Sequence, residues 1–338
     1  MSSCFLFLVT VLIVLKVLDA SAIDKSIEEI VQYSEDVDIS IQYLLYTPDT
    51  PEQPCFLEPN PDALERCPFN SSYPMKILIF GFQEELSPDS AFILMKNKFL
   101  ALYEYNVIIV NWKCCNQPPV ILAAVNTQLV GYDLSQLIKY LEVNTGLDPE
   151  NVHIIGQSYG AQVAGAAGRN TPNLGRITGL DPGAPLFSSI PVFTSLSYND
   201  ANFVDVIHTS NLTYGFGIYD PIGDVNFYPN GGARQPQCDP SNNKSQSYEL
   251  MLRYRNCNHQ SAPNFFLQSI NTTECLFWSV NCDSYDDFLD GQCPPGSSLV
   301  NLMGLPAKKI PGLSPKSKFY QMAGNQFPYY LKNGYEPL

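Results

Sequence analysis

The chain has 338 residues, with 33 Asp and Glu against 19 Lys and Arg, giving a formal net charge of −14 at pH 7. Nucleic acid, heparin-like polyanions and anionic membrane surfaces all demand clustered Lys and Arg, so partners held by that kind of electrostatics are excluded. The length suits a single large domain with a sizeable core.

In chain order, the first feature is a leader. Met1–Cys4 precede the apolar run "FLFLVTVLIVLKVL", interrupted by Lys16, and Ala20 and Ala22 of "DASA" supply an A-x-A cleavage site. The run is too short to span a bilayer comfortably and is followed by polar sequence, so residues 1–22 read as a signal peptide. Residues 23–338 are then expected to form one secreted domain, with no integral membrane segment. Cysteine use agrees. After Cys4, the chain holds Cys55, Cys67, Cys114, Cys115, Cys238, Cys257, Cys275, Cys282 and Cys293, with no C-x-x-C spacing. Disulfides are expected rather than a metal site, and no cofactor is implied. Sequons at Asn70, Asn211, Asn243 and Asn271 fit the secretory route.

Short apolar runs then alternate with helix-like segments. "MKILIFGF" (from Met75), "NVIIVNW" (from Asn106), "NVHIIG" (from Asn151), "RITGLD" (from Arg176) and "NFVDVIH" (from Asn202) are strand candidates. Val120 to Thr145 and Ala161 to Gly168 are helix candidates. Alternation of this kind predicts an α/β fold with a mostly parallel central sheet and helices on both faces. The most basic stretch, "AKKIPGLSPKSK", is expected to be a solvated tail.

In "VHIIGQSYGAQVAGAAG", Ser158 stands between Gly156 and Gly160, after an apolar strand and before a helix start rich in small residues. That context is what a nucleophile on a sharp strand-to-helix turn requires. A serine needs a base, and three histidines are present: His153, His208 and His259. His153 lies inside the strand before Ser158 and cannot fold back onto the turn. His208 closes "FVDVIH" and reads as a hydrogen-bonded core residue. His259, in "CNHQSAPNFF", is expected in a loop entering a helix and is the base by elimination. Asp181 ends the strand "RITGL" and is placed to orient the imidazole, whereas Asp200 and Asp205 sit in or beside a later segment. The oxyanion donors are expected to be the backbone N–H groups of Tyr159 and Phe82.

Together, "NVHIIGQSYGAQVAGAAGR", "RITGLDPGAPLF", "FVDVIHTS", "FYPNGGARQPQC" and "CNHQSA" resemble, in order and spacing, the pancreatic-lipase-like lipases and phospholipases A1 of animals. The resemblance implies an α/β-hydrolase fold of the catalytic-domain-only, arthropod type. It puts the triad on Ser158, Asp181 and His259, with lipid esters at a lipid–water interface as substrates. It also implies a Cys238–Cys257 disulfide closing a lid loop over residues 239–256, with Leu250, Met251, Leu252 and Tyr254 as its apolar face. A second loop, Ser210 to Gly223, is shortened. Triglyceride and phospholipid remain alternative substrates. The family usually has His at Phe80, and His and Leu at Gln157 and Tyr159. Fly yolk proteins resemble the family but lack the serine and store or carry lipid; retention of all three triad residues favours an enzyme.

Cys114 and Cys115 are adjacent, and a bridge between neighbours is strained. At least one of Cys55 and Cys67 is therefore expected to bond one of them. The unpaired thiol is expected among Cys275, Cys282 and Cys293.

Overall fold

The computed structural model describes residues 41–188, 193–239, 247–271, 276–293 and 299–324. Residues 1–22, expected to be a signal peptide, lie outside the described residues.

One edge of the sheet begins with β1 (Gln42–Tyr46) and the short β2 (Cys55–Phe56), which pair antiparallel. After α1 (Pro61–Arg66) come β3 (Met75–Ile79), α2 (Ala91–Leu102) and β4 (Asn106–Asn111). The 26-residue α3 (Val120–Thr145) stops at Gly146, whose φ of 75° suits a left-handed cap. β5 (Val152–Gln157), α4 (Tyr159–Arg169), β6 (Arg176–Leu180), β7 (Phe203–Ile207) and β8 (Val225–Pro229) follow. The chain continues through α5 (Tyr248–Ser269), β9 (Phe277–Asn281), α6 (Tyr285–Leu289), β10 (Val300–Met303) and β11 (Ser317–Gln321). All the strands form one sheet in the order β10-β9-β11-β8-β7-β6-β5-β3-β4-β1-β2. The strands from β4 to β11 in that order run parallel, and the outer ones are antiparallel.

The central strands are buried on both faces, which is why they read as continuous apolar runs. α3 and α4 pack together on one face. Side-chain size sets how near α4 comes to the sheet: a Cβ on Gly160 would stand 2.2 Å from the Ile79 carbonyl oxygen. On the other face, Phe266 of α5 meets the ring of His153 edge-on at 6.3 Å.

That second face also carries a chain of polar contacts across four strands. Lys76 Nζ lies 3.4 Å from His153 Nδ1, and His153 Nε2 lies 2.8 Å from Thr178 Oγ1. Thr178 Oγ1 donates to Asp205 (2.9 Å), which also takes Arg176 Nε at 2.8 Å and Arg176 Nη2 at 3.1 Å. Burial, reinforced by Arg176, lowers the Lys76 ammonium to about 7.

Three expectations need correction. "AKKIPGLSPKSK" is not a tail: it leads into β11, which buries Phe319 and Tyr320 and pairs parallel with β8. Cys55 bonds Cys67 (Cα–Cα 5.5 Å), and Cys114 bonds Cys115. Cys55 pairs with Leu45, which faces Ile108 near the start of β4, whereas Cys114 and Cys115 follow the end of that strand. At about 3.3 Å per residue, the strand's length keeps the two pairs apart. Cys282 bonds Cys293, and Cys275 lies outside the described residues. Lastly, His259 is not in a loop before a helix: α5 already begins at Tyr248, capped by Ser247 Oγ accepting from the Leu250 N–H.

Candidate active site

The parallel strands β5, β6 and β7 end side by side, at Gln157, Leu180 and Ile207. The next residue of each extends the ladder: Ser158 N–H donates to Leu180 O (3.1 Å), Asp181 N–H to Ile207 O (2.8 Å) and His208 N–H to Phe227 O (2.9 Å). Sites of open α/β sheets form at such carboxyl ends. Ser158 has φ 55° and ψ −122°, and Asp181 has φ 45°. Neither is glycine, so both turns are strained and held by their surroundings.

His259 reaches the site from the middle of α5. Its Nδ1 lies 2.6 Å from Asp181 Oδ2. Asp181 is fully buried and accepts three further hydrogen bonds: from the N–H groups of Thr209 (2.8 Å) and Ser210 (3.0 Å), and from Ser210 Oγ (2.5 Å). Gly217 packs so closely that an added Cβ would lie 2.4 Å from Asp181 Oδ1. The helix is fixed over this carboxylate by two side chains. Arg255 Nη2 donates to the Gly215 carbonyl (2.6 Å), and Asn258 Nδ2 to the Tyr214 carbonyl (2.9 Å). Thr209, Ser210, Arg255 and Asn258 escaped the reading of the sequence. The only signal for the first two was their place in the block "FVDVIHTS".

A cleft of about 790 Å³ opens above the strand ends, lined by Ser158, His259, Phe82, Tyr159, Phe216 and Leu252 among others. The turn after β3 forms one wall. Its Gly81 N–H donates to Glu84 Oε2 (3.2 Å), and its Gln83 N–H to Asn116 O (2.9 Å). The Phe82 and Tyr159 N–H groups have no protein acceptor among the described residues. Glu84 lines the cleft, and burial raises its carboxyl group against the opposing pull of the Gly81 N–H and His259. Of the two other histidines, His153 is buried in β5. His208 is buried with Nδ1 2.7 Å from Ile218 O and Nε2 3.1 Å from Asn226 Oδ1.

Cys238 and Cys257 are bonded, Cα–Cα 5.6 Å. Of residues 239–256, 240–246 lie outside the described residues, and Tyr248 onward is the start of α5 rather than a loop. Its apolar residues do not share one face. Leu252 lines the cleft, Leu250 is half-buried, Met251 is exposed, and Tyr254 meets Tyr214 edge-on at 6.4 Å. Phe80 is buried edge-on to Phe92 at 6.3 Å. Gln157 is buried beside Ser158, and its Nε2 has no hydrogen-bond partner. Asn70 is exposed, Asn211 and Asn271 are half-buried, and Asn243 lies outside the described residues.

The lipase family profile matches residues 18–329. The pancreatic triacylglycerol lipase of Equus caballus is 33% identical over 286 residues, 81% of this chain and 61% of that protein. The inactive pancreatic lipase-related protein 1 of Canis lupus familiaris is 35% identical over 268 residues, 76% of this chain and 57% of that protein. The chain therefore spans less than two thirds of the length of these relatives. Among solved structures, an α/β-hydrolase enzyme from a Medee basin deep-sea metagenome library superposes with a TM-score of 0.30 at 16% identity, over 51% of this chain and 71% of that one. On the profile match, which runs through every strand of the sheet, the chain belongs to the lipase family.

Proposed function

We propose that the chain is a secreted serine hydrolase of lipid esters, with Ser158 as nucleophile, His259 as base and Asp181 as the acid that orients it. The observation that carries this reading is the 2.6 Å contact of His259 with a buried, four-fold bonded Asp181, in the cleft that holds Ser158 on a strained turn. In the proposed reaction, His259 Nε2 takes the hydroxyl proton as Ser158 Oγ attacks the ester carbonyl carbon. The oxyanion is received by the N–H groups of Phe82 and Tyr159. His259 then returns the proton to the departing alcohol, and a water activated by the same ring releases the acid from the acyl-enzyme. Asp181 keeps Nδ1 protonated and stabilises the imidazolium.

Leu252, Phe82 and Phe216 give the cleft an apolar lining that suits an acyl chain. The first turns of α5, anchored by Cys238–Cys257, form the flap beside it. Triglyceride hydrolysis and phospholipase A1 action both fit. Disulfides and the sequons at Asn70, Asn211, Asn243 and Asn271 support a secreted glycoprotein. No helix among the described residues is long and apolar enough to cross a membrane.

A second reading, a lipid carrier without turnover, draws on one observation: Gln157 stands unpartnered against the serine turn, where the family usually has His. Steady-state hydrolysis of a short soluble ester separates the two. The proposal expects turnover that falls nearly to background in Ser158→Ala and in His259→Ala, with little further loss in the double variant, because groups acting as a unit are non-additive. Turnover that survives both single changes would remove the assignment.

A further inference from the structure

Away from the cleft, at the ends of β8 and β11, lies a second cavity of about 580 Å³ that shares no lining residue with the first. Its floor is the buried pair Tyr228 and Tyr320, stacked with ring centres 5.3 Å apart at 29°. Tyr219 stands beside Tyr228 at 5.5 Å and 67°, and Tyr285 beside Tyr320 at 5.9 Å and 35°. These rings are held in place. Tyr228 donates its hydroxyl to Tyr219 O (2.9 Å), and Tyr219 donates to Gly231 O (3.1 Å). The ring of His208 stacks on Tyr228 at 4.5 Å and 6°. Gly231 has φ 79°, and a Cβ there would lie 2.6 Å from the Tyr285 ring, so glycine is what admits that wall.

Charge surrounds the rings on both sides. Asp220, Asp283 and Asp286 line the cavity. Burial first, then Asp286, raises the Tyr219 phenol, which places that carboxylate's field on the exposed wall. Two cations, Arg234 and Lys318, complete the rim; Lys318 Nζ donates to the Asp283 backbone carbonyl.

Candidate occupants can be sorted by this chemistry. A bare divalent ion needs converging oxygen ligands, and no trio of His, Cys, Asp or Glu among the described residues offers them. A simple anion meets three carboxylates. An alkyl chain would bury charged groups without partners. A diffuse, weakly hydrated cation is drawn to ring faces and to nearby carboxylates. A phosphate attached to that cation finds Arg234 and Lys318. We propose that this cavity binds the phosphocholine group of a zwitterionic lipid, with the quaternary ammonium against the exposed Tyr219 ring and beside Asp286, over the packed floor of Tyr228 and Tyr320, and the phosphate toward Arg234.

The proposal does not depend on the hydrolase reading, and its test runs on the Ser158→Ala chain, where no turnover interferes. Co-sedimentation with phosphatidylcholine vesicles is compared with phosphatidylglycerol vesicles, and free phosphocholine is titrated by calorimetry. Tyr219 and Asp286 are exposed, so Tyr219→Leu and Asp286→Asn are expected to keep the fold, as their circular dichroism and unfolding midpoints will show. Each should weaken phosphatidylcholine binding by about fivefold to tenfold and leave phosphatidylglycerol binding unchanged. Binding of free phosphocholine with the same sensitivity would identify the headgroup alone as sufficient. Variant-sensitive binding of vesicles only would identify the membrane lipid as the source. Equal binding of the two lipids, or phosphatidylcholine binding that neither substitution changes, would overturn the proposal. Should either variant misfold, competition by choline on the unaltered cavity decides: failure of millimolar choline to reduce phosphatidylcholine binding overturns it as well.

Discussion

Ser158 and Asp181 hold positive φ at the ends of adjacent strands, a conformation that L side chains adopt only when the surroundings impose it. For Asp181, the imposing groups are the Thr209 and Ser210 donors and the close approach of Gly217. Asp181→Asn should therefore keep the fold but lower kcat by about 10⁴-fold, through the wrong imidazole tautomer. Ser210→Ala removes one charge-assisted bond and should lower kcat/KM by roughly tenfold, with KM little changed. Steady-state assays on a soluble ester check both; an unaffected Asp181→Asn would detach Asp181 from catalysis. The meeting of Ser158, Asp181 and His259 at one cleft was legible because type, order and the glycines beside Ser158 constrain them; their catalytic roles are the proposal. Ser210 and Asn258 were not, since a serine or asparagine that bonds one carboxylate or one carbonyl carries no periodic signature.

At the scale of elements, the serine turn depends on how closely α4 meets the sheet. Gly160→Ala would drive a Cβ against the Ile79 carbonyl. It should cost about 1–3 kcal/mol of stability, the usual range for overpacking, and lower activity as the Ser158 turn moves. Denaturant unfolding and ester hydrolysis measure the two effects; a neutral substitution would mean that the contact is slack. α5 was legible only in part. The resemblance implies a lid loop for its first half, between two bonded cysteines, but the Ser247 cap and the contacts of Arg255 and Asn258 hold it as helix through to His259. Because the proposed flap and the proposed base share one helix, a change at Leu252 probes the flap surface without altering His259. Leu252→Asp should reduce action on emulsified lipid several-fold more than on a soluble ester. Equal losses would assign Leu252 to the fold.

Across the whole molecule, one ladder of polar contacts joins Lys76, His153, Thr178 and Asp205 over four strands of the sheet. The Lys76 ammonium is lowered from 10.5 to about 7, so between these values the unfolded chain binds more protons than the folded one. Stability from this group therefore rises as pH increases from about 7 towards 10.5. Relative to the unaltered protein, Lys76→Met should flatten the rise of the thermal midpoint between pH 7 and 9; parallel curves would contradict it. Asp205→Ala, which takes the carboxylate from a guanidinium then hydrogen-bonded only to the Gly304 and Leu305 carbonyls, should cost about 3–5 kcal/mol. The central parallel strands were legible as apolar runs, because both faces are covered. β8 and β11 were not: "VNFYP" and "SKFYQ" mix polar residues with Phe and Tyr, since Asn226 and Gln321 find buried partners. The Cys238–Cys257 bridge agrees with the expectation, whereas the pairing expected between Cys55 or Cys67 and Cys114 or Cys115 failed because spacing along the chain does not show that Cys55 lies toward the opposite end of β4 from Cys114 and Cys115.

Ester hydrolysis as proposed requires an activated Ser158, and a serine-reactive fluorophosphonate tests that most directly. Peptide mapping of the labelled protein should find one adduct, on Ser158, absent in Ser158→Ala and formed much more slowly in His259→Ala. An adduct elsewhere, or labelling that persists in Ser158→Ala, would contradict it.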